Sequence, residues 1–93
     1  MSSSTILVIY QDELYLERVR AALSPVGYDV RSAPPAAAVP EVERIQPRVV
    51  VLCPCVTPDD VEAITTTLKQ RCPGLTVLRL SPNHVDRISE LLH

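Results

Sequence analysis

Short apolar runs alternate with amphipathic stretches along the 93 residues of the chain. Four runs predict strands, at residues 6–10, 28–31, 49–53 and 75–80. Three of them are mainly apolar, whereas the run at residues 28–31 alternates apolar and polar residues. Helices are predicted where apolar residues recur at helical spacing, at residues 12–23, 58–72 and 82–93. Strands separated by helices favour a parallel sheet with right-handed crossovers and helices on both faces.

The helix between the second and third strands is less well defined. Its alanines favour a helix, but Pro40 has no N–H to donate and does not fit a regular helix interior. Two alternatives therefore stay open, a helix that begins at Pro40 and a kinked helix that begins at Pro35. Pro47 ends either one. The strand that precedes this helix, Tyr28–Arg31, alternates apolar and polar residues, which predicts an edge position in the sheet.

Composition and charge narrow the class of protein. Nine basic and eleven acidic residues give a formal net charge of −2, which argues against a nucleic-acid partner because such binders carry a clustered basic face. No apolar run approaches the roughly 20 residues of a membrane span, and the first residues lack a signal-peptide pattern. The odd number of cysteines then predicts reduced thiols in a cytoplasmic protein. We expect a flexible tail at residues 1–5 and one domain at residues 6–93.

Four segments resemble the receiver domain of response regulators in two-component, chemotaxis-type signalling. They are the first strand at Ile6–Ile9, the helix, Gly-Tyr turn and second strand at Val19–Ala33, the approach to the third strand at Ile45–Leu52, and the start of the fourth at Arg71–Leu78. The resemblance implies a flavodoxin-like, three-layer α/β sandwich. Receivers have five βα units and this chain has residues for four, so we expect a four-stranded parallel sheet in the order 2-1-3-4 that lacks the fifth unit.

The residues with which receivers transfer a phosphoryl group are substituted. Cys53 stands at the position of the phosphorylated aspartate, and Tyr10 and Gln11 stand at the pair of acids that holds Mg²⁺. Ser81 matches the Ser or Thr that follows the family's fourth strand, whereas the family's lysine would follow a fifth strand. The resemblance therefore implies a pseudo-receiver with no catalytic residue, no aspartyl phosphorylation, no Mg²⁺ or other metal and no cofactor.

Protein–protein interaction is the function predicted for such a domain, with a second copy of the chain as the favoured partner. The order 2-1-3-4 leaves the fourth strand at an edge with unpaired backbone groups, and the missing fifth helix would uncover apolar surface. Either the terminal helix or a second copy supplies the cover. The candidate interaction surface comprises Val77, Arg79, Val85, Ile88, Leu91 and Leu92.

The motif Cys53-Pro54-Cys55 offers an alternative function, a redox or metal-responsive switch. It follows a central parallel strand, where open α/β sheets bind their ligands. Two thiolates are an incomplete zinc site, however, and the alternative is that Cys53 fills a small buried slot and Cys55 lies in a loop. Cys72, on the apolar stripe of its helix, is expected in the core. The patterns also leave open that the chain is a fragment or a designed sequence.

Overall fold

The computed structural model describes residues 5–83, which form four strands, three α-helices and two short 3₁₀ turns. The strands are β1 (Thr5–Ile9), β2 (Asp29–Ala33), β3 (Val49–Leu52) and β4 (Thr76–Arg79), and the helices are α1 (Glu13–Leu23), α2 (Ala38–Ile45) and α3 (Pro58–Arg71). The predicted terminal helix lies outside the described residues from residue 84 onward. So do four members of the candidate interaction surface, Val85, Ile88, Leu91 and Leu92.

All four strands are parallel and hydrogen-bond in the order β2-β1-β3-β4. In the register of the sheet, Ile9 of β1 lies opposite Ala33 of β2 on one side and opposite Leu52 of β3 on the other. Leu52 in turn lies opposite Arg79 of β4. The predicted parallel α/β fold and the order 2-1-3-4 are therefore confirmed, as is the edge position of β2.

The sheet separates two apolar clusters because alternate residues of a strand point to opposite faces. Ile6 and Val8 of β1 pack on the face covered by α1, whereas Leu7 and Ile9 pack on the face covered by α2 and α3. We call these the α1 cluster and the α2–α3 cluster. All four residues of β3 are buried, as expected for a strand with both faces covered.

Side-chain caps set where two of the helices begin. The Asp12 carboxylate accepts a hydrogen bond of 2.9 Å from the Leu14 N–H at the start of α1. The Thr57 hydroxyl accepts one of 3.3 Å from the Asp60 N–H at the start of α3. Such caps satisfy N–H groups that have no partner within the helix. The predicted start of α3 at Thr57 and Pro58 is thereby confirmed.

Helix α2 begins at Ala38, between the two predicted starts, and the irregular helical segment predicted from Pro35 is the nearer of the two alternatives. A separate 3₁₀ turn at Pro35–Ala37 precedes the helix. Pro40 is accommodated because it lies in the first turn, where backbone N–H groups need no acceptor within the helix. The helix ends at Ile45, and Gln46 takes a left-handed conformation with φ 53°. This is the conformation that commonly terminates helices.

Several predicted ends are off by one or two residues. The second strand extends to Ala33, past the predicted end at Arg31, and β1 begins at Thr5. The fourth strand is shorter than residues 75–80, because the Leu75 N–H is bonded to the Cys72 carbonyl in a turn (3.0 Å). Backbone hydrogen bonds between adjacent strands nevertheless continue one residue past the carboxyl ends of β1, β3 and β4. These bonds position the residues of the candidate site.

Candidate functional site

The carboxyl ends of β1 and β3 place two of the substituted receiver positions side by side. The Tyr10 N–H donates a hydrogen bond of 3.1 Å to the Ala33 carbonyl, and the Cys53 N–H donates one of 3.0 Å to the Ile9 carbonyl. Both residues thus extend the sheet by one step. Tyr10 is half-buried and packs against the α1 cluster, to which Cys53 belongs. Tyr10 and Cys53 are therefore neighbours at the carboxyl edge of the sheet, and neither carries a carboxylate.

Cys53 is a buried, apolar member of this site. Its exposed fraction is 1%, and burial, with a smaller contribution from the neighbouring Cys55, raises the pKa of its thiol to about 12. Because only the thiolate is a good nucleophile and metal ligand, a thiol with this pKa is inert at neutral pH. The structure therefore supports the interpretation in which Cys53 fills a buried slot.

Cys55 is half-buried and joins two loops at the carboxyl edge. Its Sγ atom accepts hydrogen bonds from the backbone N–H groups of Gln11 (3.3 Å) and Asp12 (3.2 Å). The loop after β3 is thereby fastened to the residues that begin α1. Gln11 contributes its backbone N–H to this contact rather than its side chain. Sequence reasoning missed this contact, because it joins residues 43 and 44 positions apart and depends on the shape of both loops.

The predicted site residues line two separate depressions. Tyr10 and Gln11 line a groove of about 500 Å³, together with Asp60 and the segment Pro34–Ala36. Cys53 and Ser81 line a smaller one of about 280 Å³ between the ends of β3 and β4, together with Pro54, Arg79, Leu80 and Pro82. Asp60 is the carboxylate of the first groove, and one carboxylate is an incomplete Mg²⁺ site. Among residues 5–83, no group of three or more His, Cys, Asp or Glu is arranged to hold a metal ion.

Cys72 lies away from the other two thiols. It follows α3 and precedes β4, so it sits near the amino ends of the strands, whereas Cys53 and Cys55 are at the carboxyl ends. It is half-buried against the α2–α3 cluster, in agreement with the expected core position. All three thiols are free. A switch that combines Cys72 with the Cys53-Pro54-Cys55 motif is therefore not supported.

The second candidate region is the outer edge of β4. The Leu80 N–H donates to the Leu52 carbonyl of β3 (3.0 Å), so the backbone groups of Leu80 point toward β3. Because backbone direction alternates along a strand, those of Leu78 and Thr76 also face β3, and those of Val77 and Arg79 face outward. Within residues 5–83, no strand pairs with this outer edge.

The expected patch of uncovered apolar surface beside β4 is not found in residues 5–83. Val51 and Leu80 are buried, and Val77 and Leu78 are half-buried. The large apolar side chains that are most exposed in this range are Leu14, at 74%, and Val26, at 45%, which belong to α1 and to the turn after it. What distinguishes the β4 edge is therefore its backbone rather than a bare apolar face.

Comparison with known proteins identifies a fold and no family. No protein-family profile matches the sequence, and no curated protein matches it.

None of the helices in the described range has the length and apolar content that crossing a membrane requires.

Two solved structures of designed proteins are similar in fold. One is the solution NMR structure of a de novo designed Rossmann 2x3 fold protein, with a TM-score of 0.60 and 13% identity over 96% of this chain and 89% of that chain. The other is a de novo designed Rossmann fold protein, with a TM-score of 0.63 and 16% identity over 95% of this chain and 94% of that chain. At these identities the similarity concerns the backbone arrangement, and the chain is similar to these proteins as a Rossmann-like α/β fold.

Proposed function

We propose that the chain is a non-catalytic, receiver-like module that acts by binding protein and is not phosphorylated on aspartate. The observation that carries this proposal is the buried Cys53 at the end of β3, where receivers have their acceptor. A buried neutral thiol cannot replace a carboxylate as phosphoryl acceptor or metal ligand. The free thiols support a reducing compartment such as the cytoplasm.

The outer edge of β4 supports the binding part of the proposal. Extended segments of partner proteins bind by adding a strand to an exposed sheet edge, and backbone hydrogen bonds supply the affinity. β4 offers the N–H and C=O groups of Val77 and Arg79 for this purpose. Its one charged side chain, that of Arg79, protects the edge only partly against pairing.

Thermal unfolding with a phosphoryl analogue tests the first part. The purified chain is heated with and without Mg²⁺ plus beryllofluoride, beside an active receiver domain as a control for the reagents. A ligand at 100 times its Kd stabilises its protein by about 2.7 kcal/mol, which would raise the midpoint of a small domain by several degrees. We expect an unchanged midpoint. A reproducible rise would contradict the proposal.

A second candidate function is a thiol switch at Cys55, favoured by the two N–H groups that point at its sulfur. In this scheme the Cys55 thiol loses its proton to solvent and its sulfur attacks a peroxide. An S–O bond forms as the O–O bond breaks, and hydroxide leaves, which gives a sulfenic acid. Inert Cys53 takes no part.

Peroxide treatment followed by mass spectrometry tests the switch. We expect one oxygen to be added at Cys55 before either other thiol reacts, and hydrogen exchange at Gln11 and Asp12 to change with it. The variant Cys55→Ser is the matched control, since it keeps an acceptor atom and cannot form a sulfenic acid. Oxidation that leaves the exchange of both amides unchanged would contradict a switching role.

A further inference from the structure

We propose that β4 pairs with β4 of a second copy of this chain, antiparallel and about a twofold axis perpendicular to the sheet, with Leu78 opposite Leu78. The inference rests on the proposed function, because it names the partner of the β4 edge and the register of the pairing. The result would be one continuous sheet across two copies, with the α1 faces of both on the same side.

The backbone groups that face outward determine the register. In an antiparallel ladder, two residues that exchange hydrogen bonds must both point toward the partner strand. In β4 these residues are Val77 and Arg79. In the proposed register, Val77 of each copy lies opposite Arg79 of the other. Each of these two pairs exchanges two backbone hydrogen bonds, so all outward N–H and C=O groups of β4 are used.

Neighbouring registers use the edge less well. Val77 opposite Val77 would bring Leu75 opposite Arg79, but the Leu75 N–H already donates to the Cys72 carbonyl (3.0 Å). Arg79 opposite Arg79 would place like charges directly across from each other, which is destabilising. The register with Val77 opposite Arg79 avoids both faults.

The side chains fit the same register. Leu78 lies between the two hydrogen-bonded pairs, in the kind of position where side chains of opposite strands approach most closely. It is half-buried against the α1 cluster, so contact with its symmetry mate buries apolar surface that one copy leaves partly exposed. On the other face, the aliphatic stem of Arg79 covers the half-buried Val77 of the partner strand.

The other open edge of the sheet is a weaker partner for β4. The edge strand β2 carries an exposed ion pair between Asp29 and Arg31 (3.2 Å). Charged side chains on an edge strand discourage pairing with another strand. Pairing of β4 with β2 would also join unlike edges and propagate without closing. The twofold arrangement closes at two copies. A net charge of −2 per chain opposes it only weakly.

Disulfide trapping tests the register. In a background with Cys55→Ser and Cys72→Ser, and with the inert Cys53 retained, we introduce Leu78→Cys and oxidise the chain. Opposite residues between hydrogen-bonded pairs have Cα atoms about 4.5 Å apart, within disulfide range. We expect a disulfide-linked dimer. Thr76→Cys is the control: it is more exposed, but its two copies would be about 14 Å apart, so it should cross-link much less.

Sedimentation of the native chain and two variants tests the pairing itself. We expect twice the monomer mass of 10.2 kDa at micromolar concentration. Val77→Pro removes an outward N–H without touching the bonds to β3, and we expect it to be a folded monomer by sedimentation and circular dichroism. Val77→Thr keeps that N–H and should remain a dimer.

Three results would overturn the inference. They are a native chain that stays monomeric up to roughly 100 μM, cross-linking at Thr76 that equals that at Leu78, and oligomers that keep growing with concentration. A monomer that beryllofluoride does not stabilise would overturn this inference and leave the proposed function standing. Stabilisation by beryllofluoride would overturn the proposed function, whatever the state of association.

Discussion

The Sγ atom of Cys55 lies 3.2 Å from the backbone nitrogen of Asp12 and accepts its hydrogen bond. Asp12 in turn accepts the N–H of Leu14 at 2.9 Å through its carboxylate. The start of α1 is thus held by the Asp12 carboxylate and by the Cys55 sulfur from the loop after β3. The contribution of each acceptor to stability can be measured separately.

Removal of the Cys55 sulfur should loosen the start of α1. In Cys55→Ala the N–H groups of Gln11 and Asp12 lose their acceptor, and we expect a loss of about 0.5–1.5 kcal/mol in the free energy of unfolding. Cys55→Ser keeps an acceptor and should recover part of the loss. Urea unfolding gives the free energies, and amide exchange at Gln11 and Asp12 localises the effect. Equal behaviour of the Ala and Ser variants would show that the sulfur is not an effective acceptor.

The two side-chain caps should contribute similar amounts of stability. Asp12→Ala and Thr57→Ala each remove the acceptor for a helix N–H, and we expect each to lower the free energy of unfolding by about 1 kcal/mol. The controls Asp12→Asn and Thr57→Ser retain a capping oxygen and should cost much less. Losses in the controls as large as in the alanine variants would argue against the caps seen here.

Burial of Cys53 makes stability depend on pH in alkali. The pKa of its thiol is about 12 in the folded chain against an ordinary value of 9.0, so the unfolded chain releases this proton first. The stabilisation is complete below about pH 9 and declines as the pH rises toward 12. Between about pH 8 and pH 10.5 we expect the native chain to lose roughly 1–2 kcal/mol more than Cys53→Ala.

This difference is read from urea unfolding at both pH values, with Cys55 and Cys72 present in both proteins so that their titration cancels. Parallel pH profiles for the native chain and Cys53→Ala would show that Cys53 ionises as readily in the folded chain as in the unfolded one.

An ion pair between Arg71 and Glu43 links α3 to α2. Both side chains are about half exposed, at 58% and 46%, so we expect a coupling of about 0.5 kcal/mol in a double-mutant cycle with Arg71→Met and Glu43→Gln. The coupling should fall further in 1 M salt, because screening weakens exposed charge pairs. A larger coupling that resists salt would mean that the pair is less exposed to solvent than its geometry indicates.

Sequence patterns predicted which segments form strands and helices, but not every residue at which these elements begin and end. The apolar run at Val49–Leu52 indicates a buried strand, and strands alternating with helices indicate a parallel sheet. The order 2-1-3-4 came from the resemblance to receivers rather than from the pattern of elements. The start of α2 could not be predicted, because a proline excluded from a helix interior is harmless in its first turn. The end of β4 could not be predicted either, since it depends on the turn bond from Leu75 to Cys72.

The candidate site was only partly predictable. Tyr10, Cys53 and Ser81 were expected at strand ends, and that is where they lie. Their division between two depressions depends on the loops around them, as does the bond from Asp12 to Cys55. Beside β4, Val77 and Leu78 are half-buried, and the cover expected from the terminal helix concerns residues outside 5–83, so that expectation stays a prediction.

The alternation of backbone direction along β4 also bears on how this chain tolerates mutation. The N–H and C=O groups that face outward belong to the main chain, so ordinary substitutions at Val77 and Arg79 change the surroundings of the edge and leave its hydrogen-bonding groups in place. Proline is the exception, because it deletes the donor. A capacity for edge pairing of this kind is thus robust to sequence drift, and it can persist in variants that share little sequence with this one.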